Sequence, residues 1–584
     1  MKLIFQEICE YKKYIFNAFI ALITYLSFLI YFKIIFSYNS FNFILLILYF
    51  LLFAFYNKYG VYYKNSDKKS QNTSCLLSII LSFILIIGSL VSSHVTETTG
   101  LIFNFHTIIY LFVGVLGFYL LLKNCICIIL DILPNCFDNR QNMNKKNFLT
   151  IFVLLIICWL PYLFRFFPAI MTPDSYYSIH YVKNGILSDF HAFGHTWFFG
   201  LFYYLGMFLF NNMNIAVNFY IIVQMLICSL IFTYILKFLF DNGVKKIYII
   251  LVFLLFAFSP LFALYSITLW RDILFGMAFA TLFIAIYNFV KNEYQFKVSI
   301  IIIYIISILV ILFFRNNGIY VFLLFIPFFI FLVKSNRKYI VIVNFVIVIL
   351  YFIVKGPVFN YLEVEKTTSV EAFSIPLQQI SRVIVNDGEI DQPSYDYLNE
   401  ILDIQKVKDS YDPTISDFVK RASDNKKISN DKIKFLTTWF NIGFKNPRLY
   451  FEGYLCSTLG YWYPDVIYWA TAGESSSIFN DINVFSKPLG PSFLKKTDVL
   501  ISRKIPLSSI LWSIGTMFII LVVSTFLLIY RSKSKFLIAY IPLYCLWFTY
   551  MLATPVFSEL RYVYGLFVCM PLLVFAPFLN VVRK

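Results

Sequence analysis

The sequence predicts an all-α polytopic membrane protein of about fourteen transmembrane helices, with one mostly helical external domain. Three observations predict it. Of the 584 residues, 60% are hydrophobic and 14% charged, whereas a soluble domain is about half apolar and about a quarter charged. Mean hydropathy is +0.76, and apolar runs of roughly 20 residues, the length that crosses a bilayer, recur along the chain. The basic excess lies in short loops between those runs. A soluble enzyme, a disordered chain and a secreted disulfide scaffold are all excluded.

The net charge of +17 divides unevenly. Residues 355–506 hold 18 Lys and Arg against 19 Asp and Glu, which leaves 30 basic and 12 acidic residues in the hydrophobic remainder. Basic short loops mark a cytoplasmic face. The expected surroundings are therefore a lipid bilayer, and no nucleic acid is expected as a partner. Ten scattered cysteines, with Cys456 alone in the large polar segment, give no disulfide framework.

Lys2, Lys12 and Lys13 precede an apolar run from Tyr14 to about Phe36, too long for a signal-peptide core, which reads as a retained first span. The other spans are expected near 41–56, 75–93, 101–123, 148–167, 215–238, 247–266, 273–291, 298–314, 318–333, 339–354, 507–530, 536–553 and 562–580. The glycine-interrupted aromatic run 196–210 decides the topology. Read as an interfacial or re-entrant helix, it leaves the basic loops 57–74, 138–147, 241–246, 291–297, 334–338, 531–535 and Arg583–Lys584 on one side. Both termini are then cytoplasmic, in a multi-pass protein of the cell membrane.

Four parts follow. Residues 1–130 form an accessory four-span bundle, and 148–354 a seven-span module with an external loop at 168–214. Residues 355–506 form the external domain, and 507–584 three closing spans.

Ionisable residues at the outer span ends are the candidates for chemistry, because a charge beside hydrocarbon is costly unless it has a task. In PAIMTPDSYYSIH (168–180), Asp174 either caps a helix or serves as a carboxylate beside a cleft. In DFHAFGHTW (189–197), His191 and His195 are four apart. On a helix they share a face, suited to a substrate phosphate or hydroxyl, or to an interfacial belt. ITLWRDILFG (267–276) offers Arg271 and Asp272, self-paired or facing the cleft. Asp272 and Asp174 together could activate an acceptor or hold a divalent cation, magnesium or manganese. FFRNNGIY (313–320) and TPVFSELRYVYG (554–565) contribute Arg315, Arg561 and Tyr562; guanidinium suits phosphate, and snorkelling or an Arg561–Glu559 pair is the simpler reading. EAFSIPLQQISRVI (371–384) reads as an amphipathic helix on the membrane with Gln378, Gln379 and Arg382 on its polar side.

The P-D-S at 173–175, H-x-x-x-H-T at 191–196, R-D at 271–272, I-P-L-Q-Q-I-S-R at 375–382 and E-L-R-Y at 559–562 resemble an uncharacterised bacterial branch of the GT-C glycosyltransferase superfamily. The resemblance covers roughly 148–580. It implies an extracytoplasmic site that moves a sugar from a polyprenyl-phosphate carrier to a cell-envelope glycan or glycolipid. It also implies Asp174 as general base, Asp272 as second acid, and Arg315 and Arg561 as carrier-phosphate binders. The remaining substrate contacts would be His191, His195, Arg271, Gln378, Arg382 and Tyr562. The alternatives are a lipid-linked glycan flippase and a polysaccharide polymerase or ligase.

Overall fold

The computed structural model describes residues 2–35, 42–60, 62–132, 142–333, 335–365, 369–466 and 512–579, with 479, 482, 484 and 489 besides. Residues 133–141, most of 467–511 and 580–584, which include part of the basic loop 138–147 and the terminal Arg583–Lys584, lie outside the described residues. Within them the protein is all-α. Pairing between extended segments is limited to isolated bridges, such as Ile170 with Thr268 and Ser188 with Glu365.

The count of fourteen spans is corrected. Among the described residues, seven helices are long and apolar enough to cross a bilayer, or eight if one bent pair counts as a single span. They are Lys12–Phe32, Lys68–His94, Phe105–Ile132, Lys145–Arg165, Met213–Asp241, Arg271–Lys291 and Arg337–Tyr361, with Lys246–Phe258 and Pro260–Ser266 forming the pair bent by 55°. The other expected spans form shorter helices, among them Val298–Phe314, Gly318–Leu332, Ile514–Tyr530 and Ile541–Leu552. A helix rises about 1.5 Å per residue, so seventeen residues fall short of a hydrocarbon layer about 30 Å thick. The protein is nonetheless a multi-pass membrane protein by the length and apolarity of its helices.

The chain folds as two compact units. One comprises the described parts of 1–135 and 368–466 together with 552–558, so the N-terminal bundle and most of the external segment share a unit. Its helices are α1 (Lys2–Ile35), α2 (Asn42–Tyr59), α3 (Lys68–His94) and α4 (Phe105–Ile132). Small residues let them approach closely: Ser27 donates to the Val113 carbonyl at 2.9 Å, across from Gly117. Gly88 on α3 lies against the Tyr463 ring, where an added Cβ would meet Cδ2 at 2.1 Å. Gly88→Leu therefore forces that ring out of place and should cost about 1–3 kcal/mol, read as a lower unfolding temperature in detergent; an unchanged one contradicts the packing.

The external residues of this unit pack round α5 (Ser374–Val385), whose Leu377, Ile380 and Val383 are fully buried with Leu398, Val407, Phe435 and Ile442. The expectation of an amphipathic helix lying on the membrane is corrected. Its polar side is covered as well, since Gln378, Gln379 and Arg382 are buried.

The second unit comprises the described parts of 136–367 and 467–551 together with 559–584. Its centre is α6 (Arg271–Lys291), buried along most of its length. Around it stand α8 (Met213–Asp241), α9 (Val298–Phe314) and α10 (Tyr564–Phe575), and α7 (Lys145–Arg165) packs against α8.

Candidate functional site

The loop after α7 and the loop before α6 run side by side. Ile170 N–H donates to the Ile267 carbonyl at 3.1 Å, and Leu269 N–H to the Ile170 carbonyl at 3.4 Å. Two buried polar residues of α8 fix both strands of this pairing. Asn218 donates to the Pro168 carbonyl at 2.9 Å, and the Gln224 amide donates to the carbonyls of Ser266 and Thr268 at 3.0 and 2.9 Å. Sequence reasoning passed over these side chains; their signal was an amide group inside an apolar run.

The pairing places Asp174 beside the start of α6. The cap of the short helix α11 (Pro173–Lys183) is Thr172, which forms a capping box with Ser175, and Pro173 takes the first helical position. The capping reading of Asp174 is thereby corrected: the carboxylate is left for other partners. Arg561 Nη1 donates to its Oδ2 at 2.5 Å. Burial alone would raise the Asp174 carboxyl, but Arg561, Arg271 and His191 outweigh it and hold it well below the usual carboxylate range.

Arg271 and Asp272 do not pair with each other. They are successive residues on a helix and so diverge by about 100°. Asp272, 1% exposed, pairs with Arg315 from the turn after α9. Arg271 Nη1 instead donates to the Phe190 carbonyl at 3.0 Å and to His191 Nδ1 at 3.3 Å. Tyr562 joins the two ion pairs. Its ring lies 4.2 Å from the Arg315 guanidinium and 5.3 Å from that of Arg561, and it stacks on Tyr550 at 5.2 Å. Arg561 also lies over Trp270 at 4.9 Å and contacts Glu559 Oε1 from its Nε at 3.2 Å.

The two histidines do not share a helix face. The helix begins only at Phe193, because Ala192 takes a left-handed φ of 57°, and His191 remains in the preceding turn. His191 stacks on Tyr177 with ring centres 5.2 Å apart. Burial, reinforced by Arg271, pushes it down to about 3, so the imidazole is neutral. Since a guanidinium can only donate, Nδ1 accepts and the ring proton sits on Nε2. That buried atom has no partner among the described residues. His195 is turned the other way, its Nε2 2.9 Å from the Tyr220 hydroxyl, which donates to Gln224 Oε1 at 3.1 Å. It therefore belongs to the network supporting the two loops.

A further ion pair holds the His191 turn. Lys355 Nζ lies 2.6 and 2.7 Å from the two Asp189 carboxylate oxygens, and Asn316, next to Arg315, donates to the Asp189 carbonyl at 2.7 Å. Beside this turn is a cavity of about 390 Å³, lined by Tyr181, Leu187, Ser188, Thr196, Trp197 and Tyr204.

The structure thus brings Asp174, His191, Arg271, Asp272, Arg315, Arg561 and Tyr562 into one cluster. Gln378 and Arg382 belong to the other unit, where Gln378 donates to the Asp412 carbonyl at 2.9 Å and Arg382 pairs with Glu452 at 2.8 Å. The cluster does not fit a divalent cation: each aspartate already faces a guanidinium, and no group of three His, Cys, Asp or Glu side chains forms a ligand set among the described residues. What the cluster can do is receive an anion, with three guanidinium groups, a neutral imidazole N–H and flat aromatic surfaces close together.

No curated protein and no solved structure matches the chain. Residues 34–583 match a family described as a family of unknown function, DUF6020, and the chain belongs to that family.

Proposed function

We propose that the protein is an integral-membrane glycosyltransferase acting on the extracytoplasmic face, with both termini in the cytoplasm. It moves a sugar from a polyprenyl-phosphate carrier to a glycan or glycolipid of the cell envelope. The observation that carries this reading is the cluster of Arg271, Arg315 and Arg561 interleaved with Asp174 and Asp272, assembled from four separate stretches of chain. Arginine binds phosphate bidentately and never loses its charge. Ion pairs with aspartate hold Arg315 and Arg561 in place until an anion competes for them, while Arg271 is held by the Phe190 carbonyl and His191.

The donor phosphate would draw Arg561 and Arg315 from their aspartates. Asp174, released from the charge that depresses it, becomes the stronger base and takes the acceptor hydroxyl proton as that oxygen attacks the anomeric carbon. The carbon–oxygen bond to phosphate breaks, the phosphate leaves with the electron pair, and the arginines offset its charge. A single displacement inverts the anomeric centre. Tyr562, partly exposed beside Arg315 and Arg561, offers its ring to the sugar, and the cavity beside His191 offers apolar walls to the first isoprene units.

The phosphate site is tested with a synthetic prenyl methyl phosphodiester, which carries one fixed negative charge. Arg315→Met and Arg561→Met should each weaken its binding about tenfold or more, the worth of a charge-assisted contact. Wild-type affinity in both variants contradicts the reading.

A further inference from the structure

We infer that Glu559 is a proton-binding partner of the anion site, so that binding of a phosphodiester is coupled to uptake of a proton. This deepens the phosphate-site reading above and rests on it. The geometry is a bridged pair of carboxyls. Arg561 contacts Glu559 through Nε at 3.2 Å and Asp174 through Nη1 at 2.5 Å, so one guanidinium serves both. Glu559 is 2% exposed and immediately precedes the short turn Leu560–Val563 that carries Arg561 and Tyr562. Water therefore does little to relieve its charge, and its ionised form depends on the arginines.

The charged and titratable groups facing it are Arg561 and Tyr562 on its own turn, Asp174 from α11, Arg315 from the turn after α9, and Tyr265 from the helix Pro260–Ser266. Burial, only partly offset by Arg561 and Arg315, pushes Glu559 up to about 7. Asp174, by contrast, stays ionised, so only one of the two carboxyls changes state near neutrality.

A phosphodiester entering beside Arg561 and Arg315 adds a negative charge and engages the guanidinium groups that stabilise the Glu559 carboxylate. Both effects favour the protonated acid. By linkage, the anion must bind more weakly as pH rises through and above neutrality, because a proton has to be supplied with it. No bond is made or broken; the proton comes from solvent.

The test uses the whole protein in detergent or nanodiscs and the prenyl methyl phosphodiester, which has no titration of its own near neutrality. Calorimetry in buffers of different ionisation enthalpy reads the protons taken up. In the wild type, uptake should approach about one proton per ligand above pH 7, with affinity falling up to about tenfold per pH unit. Glu559→Gln should bind with no uptake from this site and a flat pH profile, while Glu559→Asp, which keeps a carboxyl, should restore uptake. Binding without uptake in the wild type, or equal uptake in Glu559→Gln, overturns the inference and leaves the phosphate site standing. Absence of binding at any pH overturns both. If Glu559→Gln does not fold, the wild-type buffer series and the Asp variant decide the question.

Discussion

Asp174→Asn is expected to lower sugar transfer by about 10²- to 10⁴-fold, the usual worth of a positioned general base, with membrane insertion and folding retained. The asparagine keeps the size of the side chain and can still accept from Arg561, but it cannot take a proton. Folding should survive because the helix is started by Thr172 and Ser175 and because the loop is held by its pairing with 267–269. Asp174 is also the more accessible member of its ion pair, with a side chain 33% exposed. The variant should bind the phosphodiester probe at least as well as the wild type, since Arg561 loses a competing carboxylate. Transfer by the purified protein with a synthetic carrier-linked sugar, measured beside probe binding, separates lost chemistry from lost binding. Wild-type transfer in Asp174→Asn would remove this residue from the mechanism.

The largest effect on stability is expected elsewhere. Glu452→Ala should destabilise the unit containing the N-terminal bundle by about 3–5 kcal/mol, the cost of leaving a buried charge without its counter-ion. Glu452 is wholly buried on the helix Pro447–Thr458. Its carboxylate accepts from Arg382 Nη2 at 2.8 Å, from the Phe103 backbone N–H at 3.0 Å and from Arg448 Nε at 3.4 Å. Arg382 in turn donates to the Gly100 carbonyl at 3.2 Å, and Asn386 accepts from Gly100 N–H at 2.8 Å. The loop between α3 and α4 is thus tied to the external helices by a continuous buried polar network. The physical role this gives the first helices is to anchor residues 368–466. Replacing both charges, as in Glu452→Leu with Arg382→Met, should recover much of the loss, since an apolar pair of similar volume is often neutral. Thermal unfolding of the two single variants and the double variant measures the coupling directly. Additive losses would contradict a shared ion pair.

Composition and the recurrence of apolar runs made the membrane class legible, but not the number of crossings. A hydropathy run does not show where a helix turns. The runs at 298–314 and 318–333 have nearly the bounds of their helices, but at 17 and 15 residues those helices are too short to count as crossings, and Ser259–Pro260 bends another run by 55°. The site was legible as separate charges at span ends, because a charge next to hydrocarbon stands out in any sequence. Their partners were not. Arg561 meets Asp174 across 387 residues, and Asp272 turns from its neighbour Arg271 to Arg315 through helix geometry that only the fold reveals. The histidine spacing misled because the helix starts after His191. The polar stripe of Gln378 and Arg382 was visible, but its cover was not, since Glu452 and the Asp412 carbonyl arrive from distant elements.

The central claim, that the arginine–aspartate cluster performs sugar transfer on a cell-envelope acceptor, is tested most directly in cells. The measurement is the envelope glycan profile by mass spectrometry of a strain lacking the gene, rescued with wild type or with Asp174→Asn. If the cluster carries the transfer, one sugar disappears on deletion, returns with the wild type and stays absent with the variant, whose protein level is unchanged. Equal rescue by both would contradict it and favour a transporter or a polymerase of lipid-linked glycans.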